Sequence, residues 1–128
     1  VGIRKVKGDF LVILNPDTVV EPNWLNHLMS AYKKHGDGLY QSKILVTTEH
    51  DTLFSTGNII QLFGFGFSRA KGEKDNKQFE NDEEVGYASG TCLFTSSKIM
   101  KKISVHLIKD DYAALKGCAN YSNILSRE

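Results

Sequence analysis

The chain of 128 residues is long enough for one ordinary domain, and an apolar fraction of 41% supports a buried core and argues against disorder. Sixteen basic against 15 acidic residues leave a formal charge of +1, so no global field gathers nucleic acid or anionic lipid, and aromatics are not interleaved with basic clusters. Two cysteines, Cys92 and Cys118, fit neither a disulfide framework nor a zinc site, and no apolar run approaches the roughly 20 residues that span a bilayer. With nothing resembling a signal peptide, the expectation is a soluble, cytoplasmic protein with no nucleic-acid partner.

After a short basic segment, Val1 to Lys7, the stretch from Gly8 to Leu25 organises the rest. Phe10 to Leu14 is a continuous apolar run, the pattern of a strand covered on both faces in a parallel α/β sheet. Pro16 cannot donate to a ladder and pre-sets a turn, so the strand ends at Asn15-Pro16-Asp17. Asp17 is thereby delivered to the carboxyl end of a central strand, where open α/β sheets bind ligands. A carboxylate there is a suitable hard ligand for Mg²⁺ or Mn²⁺ carrying a substrate's phosphates, although Asn-Pro-Asp alone also reads as plain turn chemistry.

Pro22 to His35 is the strongest helix signal: Pro22 suits the first turn, Lys33, Lys34 and His35 face the negative end, and Gly36 can cap. Trp24, Leu25, Leu28, Met29 and Tyr32 form one apolar stripe, on which Trp24 is either core or the wall of a binding groove. Leu39 to Val46 reads as the next strand, Thr47 to Asp51 as a polar turn, and Leu53 to Leu62 as a strand kinked at Gly57. Phe63-Gly-Phe-Gly-Phe67 lacks the lysine and setting of a phosphate loop and suggests a bent edge strand packed by phenylalanines, or a ligand-side segment. Ser68 to Glu84 is polar and mixed in charge, as in a mobile surface loop, with Asp82-Glu83-Glu84 solvated rather than metal-binding. Val85 to Thr95 forms a second strong strand interrupted at Ala88-Ser89-Gly90, with Cys92 as a small core residue. Ser96 or Ser97 then caps a helix running through Ile103.

Four segments occur in an informative order: Asn15-Pro-Asp-Thr18 followed by Val-Val and Glu21-Pro-Asn-Trp-Leu25, then Phe54-Ser-Thr-Gly-Asn58, Gly64-Phe-Gly-Phe67 and Tyr87-Ala-Ser-Gly-Thr91. Together they resemble the family 2 glycosyltransferases of GT-A fold. The resemblance implies an α/β domain over residues 1–103, a partial GT-A (Rossmann-like), mostly parallel sheet flanked by helices, with an atypical tail over 104–128. It implies metal-dependent, inverting transfer of a sugar from a UDP- or dTDP-linked donor to a glycan or lipid acceptor in polysaccharide biosynthesis. Asp17 would hold the Mg²⁺ or Mn²⁺, Asn15 would contact the donor or a metal-bound water, Ser89 and Gly90 would border the sugar, and Trp24 would face the acceptor.

The family's nucleotide-binding half is expected to be missing before Val1. Where its Glu-Asp catalytic pair belongs stand Lys116 and Gly117. The catalytic base is therefore unidentified; Asp111 is a weak substitute beside the plainer reading of a helix-start carboxylate next to Tyr112. The alternative is a non-catalytic remnant, a small α/β binding or self-assembly module associating through an exposed sheet edge.

Overall fold

The computed structural model describes residues 5–109, with side chains described through residue 103. The chain-order elements are β1 (Phe10–Leu14), α1 (Trp24–His35), β2 (Leu39–Gln41), β3 (Ile44–Val46), β4 (Glu49–Ser55), β5 (Asn58–Ile60), β6 (Gly66–Ser68), β7 (Cys92–Ser96) and α2 (Ser97–Lys109).

The expected mostly parallel sheet is not what forms. Three small sheets are present among the described residues, ordered β1-β7-β2, β3-β4 and β5-β6, and every pairing in them is antiparallel. The correction has a simple origin. β1 and β2 run the same way, joined through α1 as a crossover requires, but β7 occupies the slot between them and runs opposite to both. An apolar run reports how deeply a strand is covered, not the direction of its neighbour. Nor is β1 covered on both faces by the described residues: Ile13 and Leu14 each remain 38% exposed.

The core lies between this sheet and α1. Val12, Phe94 and Tyr40 stand in one row across the three strands, and alternation along each strand puts them on one face. Leu28 and Ala31 of α1 cover that face, with Phe10, Trp24, Met29 and Tyr32 packed around them. Phe10 stacks on Phe94 at 5.4 Å and meets Tyr32 edge-on at 4.9 Å, the two favourable aromatic geometries. The helix begins at Trp24, with Pro22 and Asn23 in the preceding turn, and of its stripe only Leu25 is left exposed. It stops at Gly36, whose φ of +86° suits glycine and whose N–H returns to the Tyr32 carbonyl at 2.7 Å. Tyr40 donates its hydroxyl to the Gly36 carbonyl, and burial pushes its pKa up to about 12, so it stays a neutral donor.

Residues 39–46 form two strands rather than one. The chain leaves the first sheet after Gln41 and enters β3 at Ile44, which pairs with β4 across the Thr47-Thr48 turn. The kink expected at Gly57 is present, with φ at +108°; an added Cβ would fall 2.5 Å from Val85 Cγ1, so both the conformation and the contact demand glycine. At the other end, Ser96 Oγ accepts the Ile99 N–H at 3.3 Å as the cap of α2, which continues beyond Ile103 to Lys109. Cys92 is buried, as expected of a small core residue, whereas Cys118 lies outside the described residues.

The segment expected to be a mobile loop is stapled down. Lys43 and Asp75 form an ion pair of 2.7 Å with side chains only 3% and 2% exposed. Arg69 donates to Glu83 at 2.6 Å and to the Thr56 carbonyl at 2.9 Å. Asp82 takes Lys34 at 3.1 Å and His35 at 3.0 Å, and Glu83 takes Arg69, so these two carboxylates are engaged in ion pairs. The phenylalanines of the 63–67 segment, in turn, are left half to largely exposed on the β5–β6 hairpin.

Candidate functional site

β1 ends where the sequence says it must. After Leu14, the Asn15 N–H bonds the Thr91 carbonyl at 3.0 Å, and the Thr18 N–H closes a turn onto the Asn15 carbonyl at 3.2 Å. Proline at the second position of that turn fits its preferred φ. The turn lifts the Asp17 carboxylate into solvent at the carboxyl end of β1, beside the start of β7.

A cavity of about 510 Å³ opens at this place. Asn15, Asp17 and Glu21 supply part of its lining, Trp24 and His27 of α1 another part, and Ile44 to Val46 with Phe54 the apolar remainder. Trp24 packs against the core cluster and also lines the cavity. His50 lies on the same lining, as do Thr91 and Cys92. Burial pushes the pKa of the Cys92 thiol upward, which favours its protonated form. Ser42 Oγ, also on the lining, is buried with no hydrogen-bond partner apart from that weak thiol.

Ser89 and Gly90 lie just upstream of Thr91 and are not part of the lining itself. Ser89 Oγ is 3.0 Å from Thr91 Oγ1 and accepts the Thr91 N–H at 3.2 Å, so its hydroxyl shapes the bend into β7. An added Cβ at Gly90 would meet no atom within 4 Å; the space beside it is open. The sequence thus brings Asn15, Asp17 and Trp24 to one cavity, with Ser89 and Gly90 at its margin. Asp111 lies outside the described residues.

One residue that sequence reasoning passed over holds this margin in place. Gln41 is fully buried; its Oε1 accepts the Ser89 N–H at 2.6 Å and its Nε2 donates to Ser55 Oγ at 3.2 Å. Ser55 Oγ in turn donates to the Gly57 carbonyl at 3.1 Å. A single amide so joins the 88–91 segment to the β4–β5 corner. The signal was an amide inside an apolar strand, a group that must find partners when buried.

Among the described residues, no group of three or more His, Cys, Asp or Glu side chains is placed to hold a metal ion. No described helix is long and apolar enough to cross a membrane.

The family model for glycosyl transferase family 2 matches residues 1–104. The chain belongs to the family 2 glycosyltransferases. No curated protein and no solved structure matches it.

Proposed function

We propose that the cavity beside Asp17 is the donor and acceptor site of a glycosyltransferase that uses a nucleotide-diphosphate sugar, with a glycan or lipid as acceptor, in polysaccharide biosynthesis. The observation carrying this reading is the convergence of Asn15, Asp17 and Trp24 on one cavity at the carboxyl end of β1, locked to β7 by the Asn15–Thr91 bond. An exposed carboxylate, a neighbouring amide and an indole wall are suited to a diphosphate at one end and a sugar ring at the other.

The residues fit a Mg²⁺ or Mn²⁺ ion only if it is shared with the donor. Asp17 and Glu21 are the carboxylates on the lining, both hard oxygen donors, and among the described residues no full protein ligand set accompanies them. Asp17 would hold the ion, which supplies charge neutralisation on the leaving diphosphate. The protein's own part is positional. Asn15 faces the donor from a turn fixed by two backbone hydrogen bonds. Ser89 orders the bend that presents Gly90, whose open flank leaves room for the sugar. Trp24 offers the acceptor a flat apolar surface.

In an inverting transfer the acceptor hydroxyl loses its proton to a base as it attacks the anomeric carbon in line. We assign the sugar-transfer domain to residues 1–103 and read residues 104–128 as a tail.

Isothermal titration of UDP and dTDP with Mn²⁺ tests the reading. Binding that needs the metal and vanishes in Asp17→Ala is the expected result. A folded wild-type chain that takes neither nucleotide would refute it.

A second reading rests on β1 itself. Among the described residues its outer edge has no strand partner, and Ile13 and Leu14 are partly exposed there. Such an edge favours pairing between copies. Sedimentation velocity tests it: a dimer that Ile13→Lys converts to monomer supports self-association, and a monomer at all concentrations excludes it.

A further inference from the structure

The β5–β6 hairpin contributes nothing to the cavity lining, yet its tip carries the two most exposed large apolar side chains among the described residues, Leu62 and Phe63, with Phe65 beside them. Leu62 is 95% exposed, Phe63 83% and Phe65 65%. The strands below the tip are apolar on both sides. Ile59 and Phe67 face each other across the ladder and both are largely exposed. On the opposite face Ile60 pairs with Gly66, and Gly86 and Tyr87 approach there, leaving Ile60 46% exposed.

Leu62, Phe63 and Phe65 are exposed together on one turn, and an apolar phase can surround all three at once. The backbone is prepared for such a phase: the Gln61 N–H bonds the Phe65 carbonyl at 2.9 Å and the Gly64 N–H bonds the Gln61 carbonyl at 2.8 Å. With the ladder below them, these bonds lower the cost of taking peptide groups out of water. Charge points the same way. Residues 52–72 contain no Asp or Glu, while Arg69 and Lys71 sit at the hairpin's base. Arg69 is engaged by Glu83, but the exposed Lys71 ammonium is held over the Phe54 ring, 5.2 Å from its centroid. The near-neutral net charge does not oppose this, because attraction to a surface is set by the charges nearest to it.

We propose that the β5–β6 hairpin docks this protein on an anionic lipid surface, with Leu62, Phe63 and Phe65 entering the headgroup–acyl boundary and Lys71 meeting the headgroups. This depth is typical of peripheral insertion, about 5–10 Å, and needs no membrane-spanning segment. The proposal is independent of the reading of the cavity and its test requires no sugar transfer.

The test is co-sedimentation of the 128-residue chain with vesicles of phosphatidylcholine alone and of phosphatidylcholine mixed equally with phosphatidylglycerol. The wild type is expected to pellet with the mixed vesicles and less with the neutral ones. Phe63→Ser/Phe65→Ser should weaken partitioning by about tenfold or more. Lys71→Glu should weaken it several-fold on the anionic vesicles only. Both altered rings lie outside the core, so the double variant should keep the wild-type melting temperature. A wild type that stays in the supernatant with both vesicles overturns the proposal without recourse to any variant. So does a double variant that pellets like the wild type. A wild-type dimer that the double variant dissolves would reassign the hairpin to contacts between copies and equally overturn it.

Discussion

Two halves of this molecule are held together by different forces. The β1–β7–β2 sheet and α1 share an apolar, aromatic-rich core in which Leu28, Tyr40 and Phe94 are essentially sealed from water. The region from β3 to residue 84 has short two-stranded sheets, and polar staples do much of the fastening: Lys43 to Asp75, Arg69 to Thr56 and Glu83, Gln41 to Ser55 and Ser89. The cavity sits at the seam, lined from both halves. A platform built by packing keeps Asn15 and Asp17 in place, and a polar-stapled wall sets what lies across from them. The difference teaches that two walls of one cavity can be held by different forces, apolar burial on one side and paired polar groups on the other.

The sharpest way to break the comparison is within the packed half. Phe94→Ala should cost about 3–5 kcal/mol in a denaturant titration, because it removes the ring at the centre of the aromatic cluster and leaves a cavity. Phe63→Ala, on the exposed hairpin, should change stability by no more than about 0.5 kcal/mol. Equal losses would mean that the two phenylalanines are not in the contrasting environments described.

The staple of the second half comes next. Lys43→Met leaves the Asp75 carboxylate buried without its cation and should cost about 3 kcal/mol. Adding Asp75→Leu should recover much of that loss, since two apolar side chains leave no orphaned charge. Thermal melts of the three variants measure both steps.

Gln41→Leu is expected to cost about 1–3 kcal/mol, because the Ser89 N–H and Ser55 hydroxyl lose their partner while buried volume is nearly kept. It should also weaken nucleotide binding, whereas the Lys43 and Asp75 variants test the wall of the cavity away from that margin.

The smallest effect belongs to Asp37, which ties α1 to β7 and α2. Its carboxylate accepts from Lys98 at 3.0 Å, Tyr32 at 3.0 Å and Ser96 at 3.2 Å, and these bonds, Lys98 foremost, hold its pKa below the ordinary value. A pKa lower in the folded than in the unfolded state gives stability that is fully present above the unfolded value. That stability is lost as pH falls through the folded value. The stability gap between wild type and Asp37→Asn should therefore be widest at neutral pH and close as pH drops below about 4, read from denaturant titrations across the acid range.

The two halves also differ in how far sequence reveals them. Where β1 stops, which face α1 buries and that Gly57 must bend were all readable, because proline, helical periodicity and glycine act locally. The direction of β7 between β1 and β2 was not, since it depends on contacts between residues about 80 positions apart, such as Val12 with Phe94. The staples were hidden for the same reason. Lys43 and Asp75 look like two ordinary surface charges until the fold buries them together. At the site, Asn15, Asp17 and Trp24 carried motif signals, but Gln41 had none beyond being an amide in an apolar setting. The hairpin phenylalanines read equally as packing residues or as a ligand-side segment, because aromatic character says nothing about whether a partner surface exists.

Trp24 is the sole tryptophan and it lines the cavity, so its fluorescence reports on this place alone. Titrating a UDP- or dTDP-sugar with Mn²⁺ while following that emission is the most direct test that the donor binds here. A saturable change in the wild type that is absent in Asp17→Ala is the predicted result. Nucleotide-sugar binding detected by calorimetry with the Trp24 emission unmoved would contradict it, placing the donor somewhere other than the seam between the two halves.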